Sequence, residues 1–212
     1  MKTALNTGSF RKGDLLEYLT VLDFVGIKDI ELNLRPIIDD GYCTEKIREF
    51  IKSREFNICS IAGGWCDFFL DENYFTEIER SIDKQIELCK VFNCNRIRLF
   101  FGLLPVKYIN KLHFEHLIRN VKRISAKYPS MEFLFETHDH NSVNPEFLQL
   151  FFEQVNADNV KLNFDPINLE RFNVNWMDGF NALYSFIGHV HIKGLKNGSL
   201  FSVSTSSHLM LL

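Results

Sequence analysis

Polar and ionisable residues recur at alternating positions inside segments that otherwise read as buried β-strands. Glu31, Arg96, Arg98, Glu136, Asn163, Asp165, His189 and His191 all stand within or at the ends of such hydrophobic runs. A strand points successive side chains to opposite faces, so these residues define one polar face across several strands. The strand-like runs alternate with helix-like stretches, which implies parallel strands joined by helical crossovers. An open parallel sheet is covered by helices on both faces and rarely tolerates a polar one. A closed barrel has a helix-covered outside and a lumen whose upper end is free for chemistry. No GxGxxG or GxxxxGK[ST] follows the first strand, so the usual nucleotide loops of open sheets are also missing. The pattern therefore predicts an α/β protein built as a barrel.

The order of elements follows from periodicity. Residues 4–9 read as a short strand and its loop, and Asp14 as the cap of a helix with Leu15, Leu16, Leu19, Val21, Leu22 and Val25 at roughly helical spacing, ended by Gly26. Strands are expected over 27–34, 56–62, 96–101, 131–136, 160–164 and 189–193. Between them, helices are expected after Thr44 as a cap, over 71–92, over 107–128, from Pro145, and over 178–186. The longest, 71–92, turns Phe75, Ile78, Ile82, Ile86 and Cys89 to one side.

Composition narrows the class. The 212 residues suffice for one α/β domain with a sizeable core, and 21 phenylalanines make that core aromatic. Net charge is −3 without any basic run, which argues against nucleic acid as partner. No stretch approaches the length of a membrane span, and the N-terminus lacks the apolar segment of a signal peptide. The five cysteines are odd in number and contain no CxxC, so reduced thiols in a cytoplasmic protein are expected.

Three stretches carry chemistry: FETHDH (135–140), LNFDPIN (162–168) and HVHIK (189–193). In each, parity turns the hydrophobic residues outward and the polar ones inward. Glu136, Asp165 and His191 then stand at or near successive strand ends, where two carboxylates and an imidazole suit one divalent cation, Mn²⁺, Mg²⁺, Co²⁺ or Zn²⁺. Plainer readings exist for each: a lumen carboxylate paired with Arg98, a turn begun by Asp165-Pro166, and a core histidine. Two histidines on one strand face weigh toward a metal site. Trp65, Phe68, Phe100 and Phe101 fall near strands three and four, as pocket wall or ordinary core.

With GIKDIELN as a second-strand segment, these motifs in this order resemble the xylose isomerase-like TIM barrels, which include sugar-phosphate isomerases and epimerases, inosose-type dehydratases and endonuclease IV. FETHDH is similar to that family's fifth-strand segment, FDPIN to its sixth-strand D-x-x-H, and HVHIKG to its seventh-strand HxHxKD. The resemblance runs to about Gly198. It implies one metal held by Glu136, Asp165, His191 and a Glu on strand eight, with carboxylates moving a proton while the ion lowers the cost of an enediolate. Glu136 is then also the implied catalytic base, while His138, Asn168, His189 and Lys193 are implied substrate contacts. The implied substrate is a sugar or sugar phosphate, and a homodimer is compatible with the reading.

The chain departs from that pattern in three places. Asn168 stands where D-x-x-H has histidine, Gly194 follows Lys193 where the family has Asp, and residues 199–212 show no glutamate-bearing strand. The sequence therefore predicts a TIM (β/α)8-type barrel over residues 1–198 with about seven βα units, a missing or irregular eighth, and an atypical tail over 199–212. A short closing strand over 200–203 is the alternative for that tail; without one, the first and seventh strands would be open edges. The expected function is a metal-dependent isomerase or epimerase, with weak metal binding and little activity in this form. A degenerate carbohydrate-binding barrel, an inosose-dehydratase-like lyase and an endonuclease-IV-like phosphodiesterase are alternatives. The last needs a multi-zinc site with histidines on early strands, and none occurs between Met1 and Tyr108.

Overall fold

The computed structural model describes residues 3–9, 14–39, 43–196 and 199–207, from residue 194 onward by backbone alone. Gly198 and residues 208–212 of the expected tail lie outside these. Eight strands close into a barrel in sequence order: β1 (Thr3–Asn6), β2 (Asp29–Asn33), β3 (Asn57–Ala62), β4 (Arg96–Leu99), β5 (Glu132–Glu136), β6 (Val160–Phe164), β7 (Ile187–Lys196) and β8 (Ser199–Ser207). Pairing is parallel from β1 through β7. The eighth position is the irregular one: β8 returns directly from β7 as a hairpin and pairs antiparallel with both β7 and β1. It covers the two edges that an unclosed barrel would expose, and its nine residues, SLFSVSTSS, contain no carboxylate.

Among the described residues, eight α-helices surround the strands: α1 (Leu15–Phe24), α2 (Arg35–Asp39), α3 (Thr44–Ser53), α4 (Glu72–Val91), α5 (Lys111–Lys127), α6 (Pro145–Val155), α7 (Pro166–Arg171) and α8 (Trp176–Leu183). Local chemistry sets their ends. Asp14 accepts from Leu16 N at 2.7 Å and Gly26, at φ +79°, ends the turn after α1. Asp71 caps α4, and Asn144 caps α6 ahead of Pro145 at the first helical position. Thr44 is not a cap: its backbone is already helical, and Cys43 precedes it without a side-chain bond. The short helices α2 and α7 were not legible as helices.

The core lies between strands and helices. Outward residues of the strands, such as Ile30, Leu32, Ile61, Ile97, Phe133, Phe135 and Leu162, are buried against helix stripes such as Leu15, Leu19 and Leu22 of α1 and Phe75, Ile82 and Ile86 of α4. The buried stripe of α1 is narrower than its apolar spacing suggests, since Val21 and Val25 face solvent. Phe135 is the hub of an aromatic layer, with ring centroids 4.8 Å from Phe101, 5.3 Å from Phe68 and 5.5 Å from Phe151. Phe68 and Phe101 therefore belong to the core.

Side-chain amides tie down the loops at the C-terminal ends of the strands. Asn120 Nδ2 donates to Phe68 O (2.9 Å) and Leu70 O (2.8 Å), and Asn141 Nδ2 to Gly102 O (3.1 Å) and Leu104 O (2.8 Å). Gln85 Oε1, reaching from α4, accepts from Gly64 N at 2.7 Å. A Cβ at Gly63 would lie 2.6 Å from that oxygen and 2.9 Å from Arg98 O, so glycine lets the loop pass between α4 and β4. Among the described residues no helix is long and apolar enough to cross a membrane.

Removing the aromatic hub should be costly, whereas an exposed ring should matter little. Phe135→Ala is expected to lower unfolding free energy by about 3–5 kcal/mol. Phe24→Ala, at a side chain 90% exposed, should stay within about 0.5 kcal/mol of the unsubstituted protein in urea denaturation.

Candidate active site at the barrel mouth

Of the inward polar residues, Glu31, Arg98, Glu136, Asn163, His189 and His191 are buried in the lumen, while Arg96 is half-buried and donates to Glu132 and to Gly188 O. Register brings them level. Glu136 on β5 is paired with Asn163 on β6, and Asn163 with His189 on β7. Asp165 follows β6 directly, and its carboxylate caps α7 by accepting from Asn168 N.

The centre is a chain of opposite charges. His191 Nδ1 lies 3.1 Å from Glu136 Oε1, and Arg98 Nε 3.2 Å from Glu136 Oε2. Lys193 Nζ pairs with Asp165 Oδ2 and lies 4.0 Å from Glu136 Oε1. Ligand atoms of Glu136, Asp165 and His191 all fall within 4.8 Å of one another, as do those of Glu31, His189 and His191. The first group is the trio that parity singled out. The second adds Glu31, whose inward parity was legible but whose partners, the two β7 histidines, were not. The pairing of Glu136 with Arg98, weighed as a plainer reading, coexists with the trio.

Burial and charge act against each other on these groups. Burial, the largest single influence, raises the carboxyl pKa of Glu31 and Glu136, but His191 and His189 together outweigh it at Glu31, and His191, Arg98 and Lys193 together at Glu136, so both are held below the ordinary range. Asp165 is pushed up, because burial and the charge of Glu136 exceed what Lys193 returns. Burial lowers His191, yet the flanking Glu31 and Glu136 raise it to about 10. At His189 burial prevails over Glu31, and the imidazole is shifted down.

The other residues singled out occupy distinct shells. His138 sits at the mouth, its Nδ1 2.6 Å from Asp139 Oδ2 and its ring 4.7 Å from Phe100 and 5.8 Å from Trp65. Trp65 stacks on Phe100 at 4.3 Å, and Arg98 lies over the other partner of that stack, 4.2 Å from the Phe100 ring. Beside them opens a cavity of about 510 Å³, lined by Trp65, Phe100, Arg98, Arg35, Asn33 and Gln85 among others. Asn168 and His189, by contrast, are away from this cavity. Asn168 is fully buried, giving its amide hydrogens to Thr137 O (2.9 Å) and Asp165 Oδ2 (3.0 Å) and accepting from Arg171 at 3.3 Å. His189 Nε2 lies 3.1 Å from Glu31 Oε2.

A sequence profile described as the xylose isomerase-like TIM barrel matches residues 22–209. A 3-dehydroshikimate dehydratase of Bacillus anthracis is 25% identical over 217 residues, spanning 96% of this chain and 75% of the relative. Among solved structures, a probable 3-DHS dehydratase involved in petrobactin synthesis in the same organism superposes with a TM-score of 0.77 at 21% identity, covering 93% of this chain and 75% of the other. The IOLI protein with a bound zinc atom gives 0.72 at 16% identity, covering 93% and 76%. The two structural likenesses concern the fold.

Asn168 links the loop after β5 to the start of α7, so its loss should register in stability. Asn168→Ala removes the buried amide that donates to Thr137 O and Asp165 Oδ2 and is expected to cost about 1–3 kcal/mol in chemical denaturation. An unchanged denaturation midpoint would show that the amide carries no structural weight.

Proposed function

Because the chain belongs to the xylose isomerase-like TIM barrel family, we propose that it is a divalent-metal-dependent enzyme that removes a proton from a carbon next to a carbonyl group, with loss of water from a hydroxylated ring acid of the 3-dehydroshikimate kind as the outcome. The observation that carries this reading is the buried convergence of Glu136, Asp165 and His191 within 4.8 Å, joined through Arg98 to a cavity of about 510 Å³. The trio fits a divalent ion. Two carboxylates and an imidazole are a suitable donor set for Mn²⁺, Mg²⁺, Co²⁺ or Zn²⁺. The carboxylates already gather one cation, the Lys193 ammonium, and Asn163 Oδ1 is buried beside His191 without a hydrogen-bond partner. The zinc in a structure of the same fold is consistent with this.

Glu136, Asp165 and His191 would hold the ion, which when bound supplies Lewis-acid polarisation of substrate oxygens. The remaining steps fall to side chains. With its pKa held down by His191 and Arg98, Glu136 is a poor proton acceptor and is better suited to ligation than to the base role that the family resemblance implies. His138 is the better base. Asp139 accepts its Nδ1–H, which leaves the Nε2 lone pair available at the mouth. The substrate C–H bond breaks to Nε2 while the electrons move onto the carbonyl oxygen. Their return expels the β-hydroxyl, which leaves as water with the proton that His138 took. Trp65 and Phe100 offer a flat wall to a ring, and Arg98 with Arg35 at the cavity lining suits a carboxylate. Asn168 acts by holding Asp165, and His189 by holding Glu31, rather than by touching substrate.

Dehydration favours this site over epimerisation because one group on one face can take and return the proton. An epimerase needs an acceptor and a donor on opposite faces. The dehydratase among the relatives points the same way.

The test is to incubate the chelated protein with Mn²⁺, Mg²⁺, Co²⁺ or Zn²⁺ and either 3-dehydroshikimate or a panel of ketohexoses. The ultraviolet absorbance of an aromatic acid should grow with 3-dehydroshikimate, vanish with chelator and return with metal. His138→Ala should lower kcat by about 10²–10⁴-fold. Epimerised sugars without any dehydration, or turnover indifferent to chelator, would contradict the reading.

A further inference from the structure

The imidazole of His191 meets two carboxylates, one on each side. Its Nδ1 lies 3.1 Å from Glu136 Oε1, while its Nε2 lies 3.1 Å from Glu31 Oε2 and 3.2 Å from Oε1. The two nitrogens of the ring point in divergent directions, so Glu31 does not duplicate Glu136. It approaches from β2, 160 residues away in sequence, at the side of the ring remote from the Glu136–Asp165 pair.

Glu31 is held as a fixed acceptor. It is fully buried, and Asn6 Nδ2 donates to Oε1 at 2.6 Å and Ser60 Oγ to Oε2 at 2.7 Å. His189 Nε2 adds a contact at 3.1 Å. A second cation among Glu31, His189 and His191 would have to compete with those donors for the same carboxylate lone pairs. A hydrogen from His191 Nε2 completes the set without displacing any of them. Imidazoles that ligate metals nearly always give their other N–H to a carboxylate, a carbonyl or water, which orients the ring and sets its tautomer.

We infer that Glu31 is a positioning residue for His191: it accepts the Nε2 hydrogen, so that the Nδ1 lone pair faces Glu136 and Asp165. This rests on the metal reading above. It gives β2 a part in a site whose ligands come from β5, β7 and the end of β6. It also links the site to β1 and β3, because Asn6 and Ser60 hold the carboxylate in place.

The test is a titration with Mn²⁺ alone, followed by the electron paramagnetic resonance of the free ion, on the unsubstituted protein, Glu31→Gln and Glu31→Ala. Long-range ¹H–¹⁵N correlation on the Zn²⁺-loaded protein reads the tautomer of His191. Removing such an outer partner typically weakens metal binding about 10–100-fold. Glu31→Gln, which keeps size and one acceptor, is expected near the lower end of that range and Glu31→Ala near the upper. His191 should carry its hydrogen on Nε2. If Glu31→Ala fails to fold by circular dichroism, the glutamine variant decides. A merely structural Glu31 would lower the melting temperature of the chelated protein and leave Mn²⁺ affinity unchanged, and that result overturns the inference. So does a hydrogen on Nδ1, or two Mn²⁺ ions bound per chain with one lost in Glu31→Gln. Absence of Mn²⁺ binding to the unsubstituted protein overturns the metal reading itself, and this inference with it.

Discussion

Charge balance inside the barrel is the constraint on which the rest of the structure depends. Three carboxylates, Glu31, Glu136 and Asp165, are buried in one lumen together with Arg98, His189 and His191, and with Lys193 at its edge. An unpaired charge in such a place costs several kcal/mol, and breaking one buried pair leaves the other partner stranded. Every charge here finds its counterpart on a different strand: Glu31 on β2 answers β7, and Glu136 on β5 answers β4 and β7. Only closure of the sheet brings those strands around one axis, so the polar face is tolerable because the barrel is closed. The outer layer, where Phe135 and its aromatic neighbours pack, supplies the apolar burial that holds the arrangement in place.

The lumen was legible from sequence because a period of two survives in a single chain. Glu136, Asp165 and His191 could be placed on the inner face and near strand ends by counting alone. Depth and partnership were not legible. Parity put Glu31 inside, but nothing local says that it stops beside His191, since that contact joins strands at opposite ends of the chain. Asn168 shows the same limit. The family resemblance implied a substrate contact for it; in the structure the six residues from Pro166 form a helix that sets the amide against Asp165 Oδ2. That helix is too short to show a period. The strand β8 was the hardest to read, because its serines and threonines carry little hydrophobic alternation. Its place comes from the open edges of β1 and β7, which are properties of the other strands.

The hairpin closure also shapes the chemistry. In the family that this chain belongs to, the resemblance implied a fourth carboxylate from strand eight; here β8 runs antiparallel and Ser199–Ser207 contains none. Within the proposed reading, the site therefore relies on three ligands and on the partners that orient them. Asn168 and Thr137 fix Asp165, Arg98 fixes Glu136, and Glu31 fixes His191. Side-chain amides from α5 and from the segment after β5 hold the mouth loops, so the aromatic wall of Trp65 and Phe100 stands on a braced rim.

Within the proposed function, one divalent ion binds among Glu136, Asp165 and His191 Nδ1. Anomalous diffraction from crystals grown with Mn²⁺ tests it most directly. A single strong peak is expected in the lumen within bonding distance of those three side chains, with the Lys193 ammonium moved off Asp165. A lumen without anomalous signal, or a peak beside Glu31 and His189 instead, would contradict it.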